Sequence, residues 1–249
     1  MKLADPYSRR DFVALSITGP LVGWVPWFRP KQIAVGEARF RIVRNHRSPR
    51  RYVLLDGSQD GARQLLLGHM ESRRGTAYLI ESSAREVPIA GGRFDPNRMF
   101  SRAGAEDNLK ILNPAWSASQ IDAALDLLDS QRERLLAALF PPDRGLLIAL
   151  ASGAGAPSAK DAAAIGDQCL LRQPDKPQAF YVCTDPADYQ ALAASPYNVV
   201  LEQHVRARDD GSLERRAAAR GARFLAIATH PGDTAAQREM LVWADSHLR

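Results

Sequence analysis

A short string in the middle of the chain combines residue types that can bind a carboxylate. Residues 94–100 read Phe-Asp-Pro-Asn-Arg-Met-Phe, so that Asp95 is closely followed by Asn97 and Arg98. An arginine presents a planar fork of donors that matches a carboxylate, and a neighbouring amide can fix its orientation. The string therefore predicts that Asn97 and Arg98 bind a carboxylate-bearing ligand. The alternative is an ion pair between Arg98 and Asp95 that only stabilises a turn.

The histidines and serines do not predict a catalytic site by their spacing. None of the five histidines forms an H-x-x-E or H-x-x-x-H pair, as zinc sites often do. His69 is predicted near the C-terminus of a helix, where a positive charge is favourable. His230 follows a predicted late strand, so a role as a ligand or base is open for it. Ser58 and Ser152 lack the G-x-S-x-G context of a nucleophilic serine, which disfavours a Ser–His–acid hydrolase.

Residues 94–100 resemble the D-x-N-R-x-F motif of the aspartoacylase and succinylglutamate desuccinylase family, whose members are relatives of the zinc carboxypeptidases. In that family the Asn-Arg pair binds the substrate's carboxylate beside the zinc. The resemblance extends over most of residues 50–245, because three further segments fall in the family's order. It implies an H-G-x-E zinc motif after an early strand, a second histidine ligand after a later strand, and a glutamate base in a late strand.

The sequence departs from the family pattern at each of these positions. Asp56 stands where the first histidine ligand belongs, and Gln59 stands where the glutamate ligand belongs. Ala151 replaces the second histidine, and Ala228 replaces the base. A catalytic zinc needs about three protein ligands and an open position. The resemblance therefore implies a pseudoenzyme with vestigial metal and base positions, no catalytic residue, no metal or other cofactor, and a retained site for a small carboxylate, a peptide or a protein partner.

Two other functions remain open. The first is an active metal-dependent hydrolase of amide or peptide bonds, in N-acyl amino acids or cell-wall peptides, with an atypical zinc site that includes Asp56. The second is a basic surface that binds an anionic polymer or a membrane. The net charge is +5, and the densest basic stretch spans residues 44–51. Because that stretch contains no Phe, Tyr or Trp to stack on bases, we expect no specific nucleic-acid partner.

The N-terminus resembles a twin-arginine export signal. Residues 8–13 read Ser-Arg-Arg-Asp-Phe-Val, with the arginine pair at Arg9 and Arg10, and an uncharged, moderately apolar run follows over residues 13–28. That run is too short and too interrupted for a confident membrane span. We therefore predict that residues 1–30 are an export signal or N-terminal anchor and that the protein is periplasmic or otherwise exported. The alternative is an amphipathic or buried segment of a cytoplasmic protein.

The export hypothesis predicts a specific effect of lysine substitutions. Changing Arg9 and Arg10 together to lysine should leave the protein in the cytoplasm, because the signal requires the arginine pair itself and not only its charge. Cell fractionation followed by immunoblotting measures the distribution. The same double substitution at the adjacent pair Arg73 and Arg74 is the matched control and should not change it. Unchanged periplasmic delivery of the N-terminal variant would contradict the hypothesis.

Two cysteines, Cys169 and Cys183, bear on the same question of compartment. In an exported protein an even number of cysteines can form a disulfide, whereas in a cytosolic protein the two would be buried thiols. The inferred compartment therefore predicts a bond between Cys169 and Cys183, if their geometry allows it.

The elements that must position these residues alternate between short apolar runs and helical runs. This alternation predicts a single α/β domain over residues 31–249, with a mixed, mostly parallel sheet and helices on both faces, as in zinc carboxypeptidases. In open α/β sheets ligands bind beyond the carboxyl ends of strands, so chemistry is expected after Leu55, Leu150 and Ile227. The predicted strands are 39–43, 52–55, 77–81, 146–150, 180–183, 199–202 and 224–228, and the predicted helices are 59–69, 119–140, 186–194, 213–220 and 234–248.

Overall fold

The computed structural model describes residues 32–142, 145–152, 158–204 and 208–248 of the protein. The proposed export motif at Arg9 and Arg10 lies outside these residues. The strands are β1 Gln32–Val35, β2 Ala38–Asn45, β3 Arg51–Leu54, β4 Gly75–Ile80, β5 Val87–Ile89, β6 Gly92–Phe94, β7 Leu147–Ser152, β8 Gln168–Leu170, β9 Phe180–Cys183, β10 Asn198–Leu201 and β11 Phe224–Thr229. The α-helices are α1 Asp60–Ser72, α2 Arg102–Leu112, α3 Ala118–Leu139, α4 Ala159–Ile165, α5 Pro186–Leu192, α6 Leu213–Ala219 and α7 Thr234–His247.

Nine strands form one mixed sheet in the order β1-β2-β4-β3-β7-β11-β9-β10-β8. The four adjacent strands β4, β3, β7 and β11 are mutually parallel. Strand β9 is antiparallel to β11 and parallel to β10. Six of the nine strands run in one direction, because only β2, β9 and β10 are reversed. The predicted single α/β domain with a mixed, mostly parallel sheet is confirmed.

Both faces of the sheet are buried by helices. Neighbouring residues of β3 illustrate this, because Val53 packs into one core with α2 and α3 while Leu54 packs into a second core with α1, α5 and α7. Both side chains are fully buried. Successive side chains of a strand point to opposite faces, so a strand covered on both sides must be apolar throughout. This requirement explains the continuous apolar runs that mark the central strands in the sequence.

Local signals fix the start of two helices. At α3, the side chain of Ser117 accepts a hydrogen bond from the backbone of Gln120, and the Gln120 side chain bonds back to the backbone of Ser117. This is a complete capping box, which satisfies two backbone donors at once. At α5, Asp185 caps the helix and Pro186 occupies its first turn, where the missing N–H of proline costs nothing. Both helix starts were predicted from the sequence and are confirmed.

The predicted disulfide between Cys169 and Cys183 is wrong. Cys169 lies on β8 and Cys183 lies on β9, and β10 separates these two strands. Two strand spacings amount to about 9–10 Å, whereas a disulfide requires Cα atoms within about 7 Å. Both thiols are free, and burial raises the pKa of the Cys183 thiol.

Across the described ranges, no helix is both long enough and apolar enough to cross a membrane.

Candidate functional site

The carboxyl ends of β3, β7 and β11 meet at one edge of the sheet, because these strands are adjacent and parallel. Asp56 follows β3, and Ala151 on β7 lies directly opposite Ala228 on β11. The three positions that the family resemblance assigned to separate strands or to the residues just after them therefore share this edge. Side chains alternate along β11, so Ala228 faces the core that includes α2 and α3, whereas the next residue, Thr229, lines the cleft on the face of α1 and α7.

A cleft of about 470 Å³ opens at this edge, on the face of α1 and α7. One wall is formed by the turn after β3 and the first turn of α1, from Asp56 to Ala62. The other wall is formed by Thr229, the turn after β11 and the first turn of α7, and Arg85 completes the rim. Of the positions singled out from the sequence, Asp56, Ser58 and Gln59 line this cleft.

The Asp56 carboxylate is buried, with 5% of the residue exposed. Its Oδ1 accepts hydrogen bonds from the backbone N–H of Ser58 at 2.9 Å and from the Ser58 hydroxyl at 2.6 Å. Its Oδ2 accepts from Nε2 of Gln59 at 3.1 Å. Burial lowers the pKa of Arg85, but hydrogen bonding to Asp95 and the charges of Asp95 and Asp56 raise it overall. Neutral donors thus hold Asp56 in place, and Arg85 compensates part of its charge.

The residues at the positions that the resemblance assigned to the metal and the base do not fit a catalytic zinc. They offer one carboxylate that already accepts from Ser58 and Gln59, one amide, and the methyl groups of Ala151 and Ala228. Zinc prefers histidine, cysteine and carboxylate ligands and needs about three of them. Within the described residues, no group of three or more His, Cys, Asp or Glu side chains is placed to hold a metal ion.

The first turn of α1 presents free backbone donors to the cleft. Gln59 occupies the N-cap position, but its side chain makes no capping hydrogen bond. In the described part of the chain, the N–H groups of Asp60, Gly61 and Ala62 have no acceptor. A Cβ at Gly61 would lie 2.6 Å from the Thr234 hydroxyl oxygen, so the glycine allows the starts of α1 and α7 to approach closely. Such free donors carry the partial positive charge of a helix N-terminus.

Gln237 adds an unusual polar group to the same cleft. It lies on α7 beside the buried residues Met240 and Leu241, is only 2% exposed, and lines the cleft. Its buried side-chain nitrogen has no hydrogen-bond partner among the described residues. A buried amide without a partner costs about 1–3 kcal/mol. A binding role that requires the amide would explain why this position is not apolar.

The side chains of Asn97 and Arg98 already have partners. Both lie in the 3-10 turn Pro96–Arg98, where Asp95 accepts from the Asn97 backbone at 2.9 Å and from its side-chain nitrogen at 2.7 Å. Arg98 pairs with Asp210, while Asp95 pairs with Arg85 at 2.9 Å. The alternative considered from the sequence, an ion pair between Arg98 and Asp95, is thus replaced by two other pairs. A carboxylate role for Asn97 and Arg98 stays a prediction, and a ligand there would compete with Asp210.

Two histidines considered from the sequence do not line this cleft. His69 lies in the last turn of α1, as expected, and its Nε2 is 2.6 Å from Oδ2 of the buried Asp245. The hydroxyl of Tyr52 donates to the same carboxylate. His230 is exposed, and its Nδ1 lies 2.9 Å from the carbonyl oxygen of Pro231. It lines a neighbouring cleft beside α7.

Sequence reasoning missed Thr229, Arg85 and Gln237 as cleft residues. Gln237 carried a recognisable signal, because it precedes Met240, Leu241 and Ala244 on one buried stripe of α7. A lone glutamine on such a stripe indicates either a hydrogen-bonded core amide or a binding group. Arg85 carried no such signal, because it lies in a loop between β4 and β5.

No family model matches the chain, and searches of the curated proteins and of the solved structures also find no match.

Proposed function

We propose that this protein is an exported, non-catalytic domain that binds a small carboxylate-bearing ligand in the cleft between α1 and α7. Export is supported by the sequence around Arg9 and Arg10. Ligand binding is supported by the position and the volume of the cleft. Its position at the carboxyl ends of parallel strands is the usual binding position in α/β sheets. Its volume of about 470 Å³ suits a small molecule.

The bonding of Asp56 is the observation that carries the non-catalytic part of the proposal. Both of its oxygens accept from neutral donors on Ser58 and Gln59 within the same turn. A carboxylate fixed in this way organises the turn before α1, and the neighbouring positions Ala151 and Ala228 supply no further ligand or base. The former catalytic edge of such a scaffold would then serve recognition instead of hydrolysis.

Metal analysis tests this proposal directly. Protein purified without chelator should contain far less than one zinc per chain and should not hydrolyse N-acetyl amino acids, since a catalytic site needs about three ligands. Ala151→His should not restore either property, because Gln59 and Ala228 would remain unchanged. Elemental analysis by mass spectrometry and an amide-hydrolysis assay provide the two measurements, with an authentic zinc hydrolase purified in parallel as the control. Stoichiometric zinc together with hydrolysis would refute the proposal and favour the atypical zinc hydrolase.

A further inference from the structure

We infer that the cleft binds a small zwitterion, such as a free α-amino acid, with its carboxylate at the start of α1 and beside Gln237 and its ammonium group near Asp56 and Asp233. This inference rests on the proposed function, because it names the ligand class of the same cleft. The ligand class is supported by the backbone donors at the start of α1, by the amide of Gln237 and by the charges on the cleft walls.

The donors at the start of α1 favour a carboxylate. The N–H groups of Asp60, Gly61 and Ala62 have no acceptor in the parts of the chain that are described, and Gln59 does not cap them. A helix of 13 residues, such as α1, carries a substantial partial positive charge at this end. Backbone donors that point at one spot, with that charge behind them, are a common binding site for anions.

Gln237 is independent evidence for a ligand at this position. Its residue is 2% exposed, and its side-chain nitrogen is buried without a partner among the residues described. The oxygen and nitrogen of a glutamine amide exchange places by a half-turn of the side-chain terminus. Gln237 can therefore present a donor to a carboxylate in the cleft.

The charges on the walls favour a ligand that is also cationic. Asp56, Asp60 and Asp233 line the cleft, and Arg85 is the cationic residue among its lining residues. A simple anion would therefore meet repulsion from carboxylates within the same small volume. One Asp233 oxygen caps α7 by accepting from the N–H of Ala236, and its carboxylate can still accept from an ammonium group. A zwitterion offers a carboxylate to the donors of α1 and an ammonium group to the aspartates, and it leaves the net charge of the cleft unchanged.

Binding of matched compounds tests the inference. The full-length protein would be titrated with each standard L-amino acid by ligand-observed NMR and thermal shift. The best binder would then be compared with its analogue without the amino group and its analogue without the carboxyl group. We expect each deletion to weaken binding at least about tenfold, because each leaves charged or polar groups of the cleft without a partner. Absence of binding by every amino acid, or equal binding of the deaminated analogue, would overturn the inference.

Two substitutions separate binding from folding. Gln237→Leu should weaken binding by about tenfold and also raise the melting temperature by about 2–4 °C, because it removes an unsatisfied buried amide. Gln59→Ser should also weaken binding, because a serine side chain at the N-cap would accept from an N–H group of α1 that the ligand would otherwise use. The exposed Gln203→Leu is the matched control and should leave binding unchanged. Undiminished binding by folded Gln237→Leu or Gln59→Ser protein would contradict the assigned pose.

Failure of the ligand class and failure of the proposed function give different results. Protein that lacks zinc and hydrolytic activity, yet binds no amino acid, would disprove the ligand class and leave the non-catalytic proposal intact. Protein that contains stoichiometric zinc and hydrolyses amides would disprove the proposed function, whatever amino acids it binds.

Discussion

Replacing Asp245 with alanine should lower the free energy of unfolding by about 3–5 kcal/mol, the usual cost of removing one partner from a buried charged network. The Asp245 side chain is 3% exposed and lies 2.6 Å from Nε2 of His69 and 3.1 Å from a guanidinium nitrogen of Arg50. The Tyr52 hydroxyl donates to both of its oxygens, at 2.9 and 3.0 Å. Asp245 thereby joins α7 to the end of α1 and to the start of β3.

The pKa of Asp245 supports the same expectation. Burial opposes ionisation, but the hydrogen bond to His69 and the charge of Arg50 lower the pKa of Asp245 below the ordinary value of an aspartate side chain. A carboxyl with a lowered pKa in the folded protein stabilises it above the pKa of the unfolded chain, and this contribution disappears as the pH falls through the folded value. The Asp245→Ala variant should therefore lose most stability near neutral pH and comparatively less in strong acid.

Urea denaturation followed by circular dichroism measures this loss. Asp122→Ala is the matched control, because the Asp122 side chain is 68% exposed and lies 4.0 Å from Arg102 on the surface. An exposed pair of this kind contributes less than about 1 kcal/mol. A loss of stability in Asp245→Ala no larger than in Asp122→Ala would show that the network contributes little.

The sequence predicted most of the fold because strong patterns determine the central elements. All seven predicted strands and all five predicted helices correspond to elements of the structure, with ends displaced by a few residues. Four of the strands and helices that were missed lie where those patterns are weak. Strands β5, β6 and β8 have three residues each, too few to establish a period. Helix α2 buries only Gly104, Ala105 and Leu109, so its apolar stripe is barely visible in the sequence.

The candidate site was predictable only in part, for a physical reason. Asp56 and Gln59 could be placed because the carboxyl end of a buried parallel strand marks one edge of the sheet. The partner of Arg98 could not be predicted, because Asp210 lies 112 positions away along the chain. Tertiary pairing of that kind depends on how loops meet, and a single sequence shows no periodic signal for it. Close approach of the Gly104 and Gly211 backbones brings these two segments together.

The other large change in stability is expected from a substitution at Glu202, in a charged cluster near Arg98. Glu202 follows β10 and is buried, with 6% of the residue exposed. Its carboxylate lies 3.9 Å from the Arg215 guanidinium, which also lies 3.2 Å from Asp210. Burial raises the pKa of Glu202 to about 7, and the negative charges of Glu214, Asp210 and Asp167 add to this effect against the opposing charge of Arg215. The arginine therefore compensates the buried carboxylate incompletely.

Glu202→Gln should consequently stabilise the protein at pH 8 by about 1–3 kcal/mol, since each pKa unit corresponds to about 1.4 kcal/mol. The folded pKa of about 7 exceeds the ordinary glutamate value of 4.5, so the folded protein holds this proton more tightly than the unfolded chain. The protonated Glu202 side chain therefore contributes its full stabilisation below about pH 4.5, and this contribution is lost as the pH rises to about 7. Urea denaturation at pH 4.5 and pH 8 should show the stabilisation mainly at pH 8. Glu106→Gln, on the exposed surface of α2, is the control. An equal effect of Glu202→Gln at both pH values would contradict the claim that the buried Glu202 carboxyl titrates in this range.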